Sequence, residues 1–255
     1  MQPIYLDYNA TTPLDPAVSE AMQPFLREHF GNPSSAHAYG RTTQDAVERS
    51  RRQVGDLLGA APHEIVFTSG GSEASNLALK GVAFPGLFGS HAGAVHVITS
   101  AVEHPATLQP CAFLGRLGCR VTILPVDRYG VVDLDALRQA LRRPTLLVSI
   151  MHANNEVGTL QPIREIAALA HAAGALVHTD AAQSAGKMWV NVGELGVDLL
   201  TLAGHKLYAP KGVGALYVRD GVGLEPLLHG AGHESGRRAG TESVLLDVAL
   251  GAACR

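Results

Sequence analysis

A chain of 255 residues, 46% of them hydrophobic, is long enough to enclose one sizeable core or one large domain with a small appendage. That content excludes intrinsic disorder. Its 20 Lys and Arg against 23 Asp and Glu give a net charge of -3, spread without long runs of either sign, so neither a nucleic-acid nor a membrane-surface partner is expected. Residues 1–7 lack the basic and apolar regions of a secretory signal. The longest apolar stretch, 166–177, is too short to span a bilayer and contains His171 and Gly174. Cys111, Cys119 and Cys254 are far apart and form no C-x-x-C pair. These features predict a soluble, cytoplasmic protein in a reducing compartment. The twelve histidines show no spacing that places two ligands on one metal.

In chain order, Asp15 is positioned to cap a helix that has Pro16 at its first position, with Val18, Met22, Phe25 and Leu26 at helical spacing. A second helix is predicted over 43–58, ending near Gly59. Short apolar runs then alternate with helical patterns. The runs are 64–68, 95–99, 120–126, 146–151, 175–179, 198–202 and 214–218. The helical patterns are 72–82, 106–117, 133–141 and 162–173. The Gly-rich stretch 84–94 reads as a mobile loop.

Strand-helix alternation predicts a three-layer α/β domain with a mainly parallel seven-stranded sheet covered on both faces. About ten residues join the last two runs, too few for a crossover helix, so the final strand is expected to be antiparallel.

Ligands in open parallel sheets bind beyond the carboxyl ends of the strands, and the polar motifs fall there. Ser69-Gly70-Gly71-Ser72-Glu73 opens a helix whose N–H groups and dipole suit a phosphate, though it also reads as a tight turn with a Ser cap. Asp180 closes a strand, where a buried carboxylate can pair with a pyridinium N–H or cap the next helix. Lys206 lies in the run from Ala203 to Gly212. In a crevice its pKa falls and its free amine can form a Schiff base, whereas an isolated lysine reads as solvated surface. His104 can stack on an aromatic ring and shuttle protons, or serve as a hydrogen-bonded structural residue. The Asn155 and Gln183 amides can bond a cofactor's phenolic oxygen, a substrate carboxylate or a loop backbone. Together these groups describe a pyridoxal-phosphate site.

Eight motifs in order carry a family resemblance. They are Tyr5-Leu-Asp-Tyr-Asn-Ala-Thr-Thr-Pro13, Gly31-Asn-Pro-Ser-Ser35, Thr68-Ser-Gly-Gly-Ser-Glu73, Val102-Glu-His104, Asn154-Asn-Glu-Val-Gly158, His178-Thr-Asp-Ala-Ala-Gln183, Gly204-His-Lys206 and Gly240-Thr-Glu242. From the first residues to the last, the sequence resembles the cysteine desulfurases, of the class V aminotransferase-like pyridoxal-phosphate enzymes, and their close relatives the selenocysteine lyases.

The resemblance implies that Lys206 carries pyridoxal 5'-phosphate, His104 stacks on its ring, Asp180 pairs with the pyridine nitrogen and Gln183 bonds the phenolic oxygen. Asn155 would orient ring and substrate. Gly71, Ser72 and His205 would hold the phosphate, and Thr241 would reach the phosphate of the other subunit of a homodimer. Asn9 and Ala10 would line the substrate's way in. The implied reaction takes L-cysteine to L-alanine, leaving a persulfide on an active-site cysteine that feeds iron-sulfur assembly or another sulfur acceptor.

Ala203 stands where many relatives carry a phosphate-bonding hydroxyl, a loss of roughly 1 kcal/mol, and Ala209 replaces the commoner Gly. Family members continue into a smaller C-terminal domain bearing the persulfide cysteine and a substrate-binding arginine. The expected organisation is therefore an N-terminal arm over 1–15, the cofactor-binding domain over 16–240, and a helix from near Glu242 leading to a missing small domain. None of the three cysteines fits the sulfur-accepting role. The expected reading is a truncated desulfurase that keeps the cofactor site; a selenocysteine lyase and a catalytically silent dimerisation or scaffold fragment are the alternatives.

Overall fold

The computed structural model describes residues 3–89, 95–142 and 145–255. The sheet contains seven strands among these residues: β1 Ile65–Thr68, β2 His96–Ser100, β3 Arg120–Leu124, β4 Thr145–Ser149, β5 Leu176–Asp180, β6 Leu199–Ala203 and β7 Gly214–Val218. Their spatial order is β1-β7-β6-β5-β4-β2-β3. The pairs from β3 through β6 are parallel, and β7 runs antiparallel to both β6 and β1. The short β6–β7 connection enforces that reversal, as expected.

Alternation along the strands divides the core into two layers. Ile65, Phe67, Val148, Ile150, Val177, Leu200, Leu202, Ala215 and Tyr217 face helices α2 (Ala38–Leu58), α6 (Ile163–Ala172) and α8 (Val244–Ala253). Val66, Val97, Leu147, Leu199, Leu216 and Val218 face α3 (Gly71–Phe88) and α4 (Pro105–Arg116). Successive side chains point to opposite faces, so continuous apolar runs supply both layers. Helix α1 (Pro16–Arg27) starts as predicted, with the Asp15 carboxylate accepting from Ala17 N–H at 2.7 Å.

Two helices exceed their predicted bounds. Helix α2 begins at Ala38 because His37 caps it through Nδ1, and Gly40 lies so close to the 31–35 turn that a Cβ would sit 2.1 Å from the Ser35 carbonyl oxygen. The predicted loop over 84–94 is corrected: α3 continues to Phe88. A Cβ on Gly86 would come within 2.8 Å of Val95, so glycine serves close packing there. Residues 90–94 of that stretch lie outside the described residues. Helix α5 (Leu134–Ala140) and the short α7 (Val192–Leu195) complete the set, and α8 starts at Val244, two residues after Glu242.

Candidate active site

A cavity of about 940 Å³ opens at the carboxyl ends of the strands. Asn9, Ala10, Gly71, Ser72, His104, Asn155, Asp180, Gln183, His205 and Lys206 all line it. Thr241 does not: it is exposed, just beyond Gly240, outside this cavity.

Asp180 ends β5 with its side chain aimed into the cavity, and Oδ1 accepts from Ala182 N–H at 2.9 Å. Burial pushes its carboxyl above the ordinary range, while that bond, His104 and Lys206 oppose the shift. Lys206 closes a 3-10 turn, Gly204–Lys206, directly after β6. Burial lowers its pKa, and Asp180 pulls the other way. The pair therefore holds an amine that deprotonates more easily than a surface lysine. His104 caps α4, its Nδ1 accepting from Ala106 N–H at 3.1 Å, which fixes the ring at the cavity wall.

Helix α3 begins without a side-chain cap. Its N-cap is Gly70, at φ 150 and ψ 177, a conformation essentially restricted to glycine. The alternative reading of this turn, a Ser cap, is not borne out. Among the described residues, no protein acceptor meets the N–H groups of Gly71, Ser72 and Glu73, three donors at the positive end of an 18-residue helix. Gly214 packs beneath this turn so closely that a Cβ there would lie 2.8 Å from Gly70 Cα. Uncapped donors, a buried carboxylate and a lysine in one cavity fit a phosphorylated, ring-nitrogen-bearing aldehyde. Ala203 also lines the cavity and offers no hydroxyl.

Gln183 and Asn155 are engaged within the chain. Gln183 Nε2 donates to the Asn9 carbonyl at 2.9 Å and Oε1 accepts from Lys187 Nζ at 2.9 Å. Asn155 Nδ2 donates to Glu156, and its carbonyl accepts from Asn9 Nδ2 at 3.3 Å.

Several supporting residues escaped the sequence reading. Glu103 is buried beneath the site, Oε1 accepting from Ser100 Oγ at 2.6 Å and Met151 N–H at 2.8 Å. Burial, assisted by the Asp180 charge, pushes its carboxyl up to about 8. Arg238 donates to both carboxylate oxygens of Glu73, at 2.8 and 3.3 Å, while Ser69 N–H donates to Glu73 Oε2 at 2.7 Å. Arg51 and Glu234 form a buried two-bond pair at 2.6 and 2.9 Å. Adjacency of Glu103 to His104 was the one available signal; the Arg238–Glu73 and Arg51–Glu234 pairs join residues more than 160 positions apart.

The family model of the class-V aminotransferases matches residues 4–255. The chain belongs to this family. Class-V aminotransferases of the cysteine desulfurase type use pyridoxal phosphate. This class-V chain is 54% identical over 250 residues to the cysteine desulfurase IscS of Dictyoglomus turgidum, covering 98% of this chain and 62% of that protein. It is 50% identical to the cysteine desulfurase IscS of Methanosarcina thermophila, covering 98% and 61%. The chain thus spans about three fifths of the length of these relatives. The solved structure of SspA in complex with cysteine is 44% identical with a TM-score of 0.95, covering 99% of this chain and 72% of that one. A NifS-like protein is 41% identical with a TM-score of 0.95, covering 99% and 69%. No helix among the described residues is long and apolar enough to cross a membrane.

Proposed function

We propose that this chain is the cofactor-binding part of a pyridoxal-phosphate-dependent cysteine desulfurase, converting L-cysteine to L-alanine and passing the sulfur to a cysteine thiolate as a persulfide. The observation that carries this reading is one cavity holding a half-buried lysine of lowered pKa, a buried carboxylate and an uncapped helix N-terminus. Identity of about one half to cysteine desulfurases supports it.

Bound pyridoxal phosphate supplies an aromatic aldehyde whose ring withdraws electrons from an attached amino acid. Gly71 and Ser72 N–H groups and His205 hold the phosphate, favoured by the α3 dipole. Asp180 accepts from the pyridine nitrogen and keeps a proton there. Lys206 would present its amine to the aldehyde and would move a proton at the substrate's α-carbon. His104 stacks on the ring and exchanges a proton with the substrate. Gln183 donates to the phenolic oxygen, Asn155 orients ring and substrate, and Asn9 and Ala10 bound the substrate side. Exposed Thr241 reaches the phosphate of a second subunit in a homodimer.

The three thiols do not suit the sulfur-accepting role. Burial pushes Cys111 and Cys254 up to about 12 and raises Cys119, so none supplies a thiolate near neutral pH. The accepting thiolate must come from another segment or another protein, from which sulfur passes to iron-sulfur assembly or another acceptor. Three unpaired cysteines suit a reducing compartment such as the cytoplasm.

Borohydride reduction after mixing with pyridoxal phosphate, followed by peptide mass spectrometry, is expected to place the modification on Lys206 and to lose it in Lys206→Ala. A modification elsewhere overturns the cofactor assignment. Alanine release from selenocysteine but not from cysteine, in the protein supplied with an acceptor thiol, would replace the substrate.

A further inference from the structure

The arm preceding α1 makes contacts that the proposed chemistry leaves unused. Thr12 is 5% exposed although residues 3–10 are all exposed. Its hydroxyl donates to the His205 carbonyl at 2.9 Å and accepts from Tyr208 N–H at 2.9 Å. Its own N–H donates to the same His205 carbonyl at 3.0 Å. These two partners flank Lys206, one residue before it and two after. A threonine hydroxyl has one proton to give and lone pairs to receive, and both capacities are spent on one turn.

The turn needs holding. Tyr208 sits at φ 61, the left-handed region that a bulky residue enters only when its surroundings impose it. Asp15 N–H reaches the Tyr208 carbonyl at 3.0 Å, and Thr11 Oγ1 meets His205 Nδ1 at 3.2 Å, so the same arm touches the turn on both sides of Lys206.

We propose that Thr12 is the positioning residue for Lys206: by pinning the His205 carbonyl and the Tyr208 N–H with one hydroxyl, it fixes the direction from which the Lys206 amine meets the cofactor aldehyde. This rests on the reading of Lys206 as the cofactor-bearing amine. In forming the linkage, Nζ bonds to the aldehyde carbon and the aldehyde oxygen leaves as water. Such a step depends steeply on approach geometry, a displacement of about 1 Å costing up to ~100-fold. The titratable groups around Lys206 are Asp180 and Lys187 from the β5 end and the segment after it, His104 before α4, and His205 and Lys211 on its own connection. Asp7, Glu73 and Glu156 also line the cavity. A loosened turn lets more water reach the half-buried Lys206, which moves its protonation towards that of an ordinary lysine.

The test compares the protein with Thr12→Val, which keeps the shape without the hydroxyl, and Thr12→Ser, which keeps the hydroxyl. Stopped-flow absorbance reads the rate of the Lys206 linkage with pyridoxal phosphate across pH. Parallel titration with 4'-deoxypyridoxine 5'-phosphate, which lacks the aldehyde, reads binding alone. Thr12→Val is expected to slow the linkage roughly tenfold and move its pH profile upward, with affinity for the deoxy compound held within about twofold. Thr12→Ser is expected to stay within about twofold of the unsubstituted protein on every measure. An unchanged rate in Thr12→Val, equal losses of rate and affinity, or no rescue by serine would each overturn the proposal. Hydrogen exchange in the unsubstituted protein gives an answer that needs no variant: the Tyr208 amide is expected to exchange slowly, and fast exchange rejects the clamp. Linkage in the unsubstituted protein on a residue other than Lys206 removes the cofactor reading and the proposal with it. Linkage at Lys206 without any effect of Thr12→Val removes the proposal alone.

Discussion

On one side of the cavity the Lys206 turn is fastened by neutral hydrogen bonds from the N-terminal arm, whereas on the other the turn from Ser69 to Ser72 is fastened by charged pairs from the 233–238 segment. The second fastening is deep. Arg51 bonds Glu234 twice and also the Ile65 carbonyl at 2.7 Å, and Glu234 accepts from Phe67 N–H at 2.8 Å. Burial works against the Arg51 charge, but Glu234 and Glu48 together outweigh it and raise the guanidinium pKa. The contrast is one of cost on failure. A lost neutral bond leaves an uncharged group short of a partner, while half of a buried ion pair is left as an uncompensated charge, which costs more. The geometry of the turn from Ser69 to Ser72 is therefore tied to global stability, and that of the lysine turn to a local contact.

Arg51→Ala should break the charged fastening outright, lowering unfolding free energy in urea by about 3–5 kcal/mol. Replacing both partners, as Arg51→Met with Glu234→Leu, should cost less than the single change. A double variant at least as unstable as Arg51→Ala would show that the pair's worth is not its mutual compensation.

Glu103 sharpens the comparison because it is an acid that acts as a neutral fastening. It joins the end of β2 to Met151 beyond β4, and its Oε2 meets no partner among the described residues, which adds to the cost of charging it there. Its folded pKa of about 8 lies above the ordinary 4.5, so its contribution is full below pH 4.5 and is lost as pH rises through about 8. Denaturation midpoints should fall over that window, by a few kcal/mol in unfolding free energy, and Glu103→Gln should flatten the fall. The same slope in both proteins would assign it elsewhere.

The smallest effect tests strain in the charged segment. Glu234 and Ser235 occupy the left-handed region at φ 49 and 56. Ser235→Gly relieves a penalty of about 1–2 kcal/mol per residue, partly offset by glycine's freedom in the unfolded chain, for a net gain of about 0.5–1 kcal/mol in urea unfolding. A loss of stability would mean that the Ser235 side chain contributes contacts outweighing the strain.

Much of the architecture was legible in the chain because it follows from local chemistry. Asp15-Pro16 marks a helix start, alternating apolar runs mark the strands, and the brevity of the β6–β7 connection dictates an antiparallel return. The motifs at strand ends were equally legible, since a parallel sheet brings those ends to one edge whatever the loops do. The reading failed where glycine had two meanings. The 84–94 stretch looked like a loop, yet Gly86 is small because Val95 and Leu146 leave no room for a Cβ, and such crowding is set by residues separated in sequence and brought together in space.

The sequence by itself determined the fold class, the sheet edge on which chemistry is placed, and the residues Asp180, Lys206, His104, Gly71 and Ser72 that belong there. Only the tertiary structure decided what holds them. Thr12 lies 194 residues before Lys206, and Arg51 lies 183 before Glu234. A pattern of neighbours in sequence reports local backbone preference and burial, whereas these partners are chosen by packing across the folded chain. The pKa of Lys206 is set in the same way, because the assembled cavity strips it of part of its water and sets Asp180 beside it.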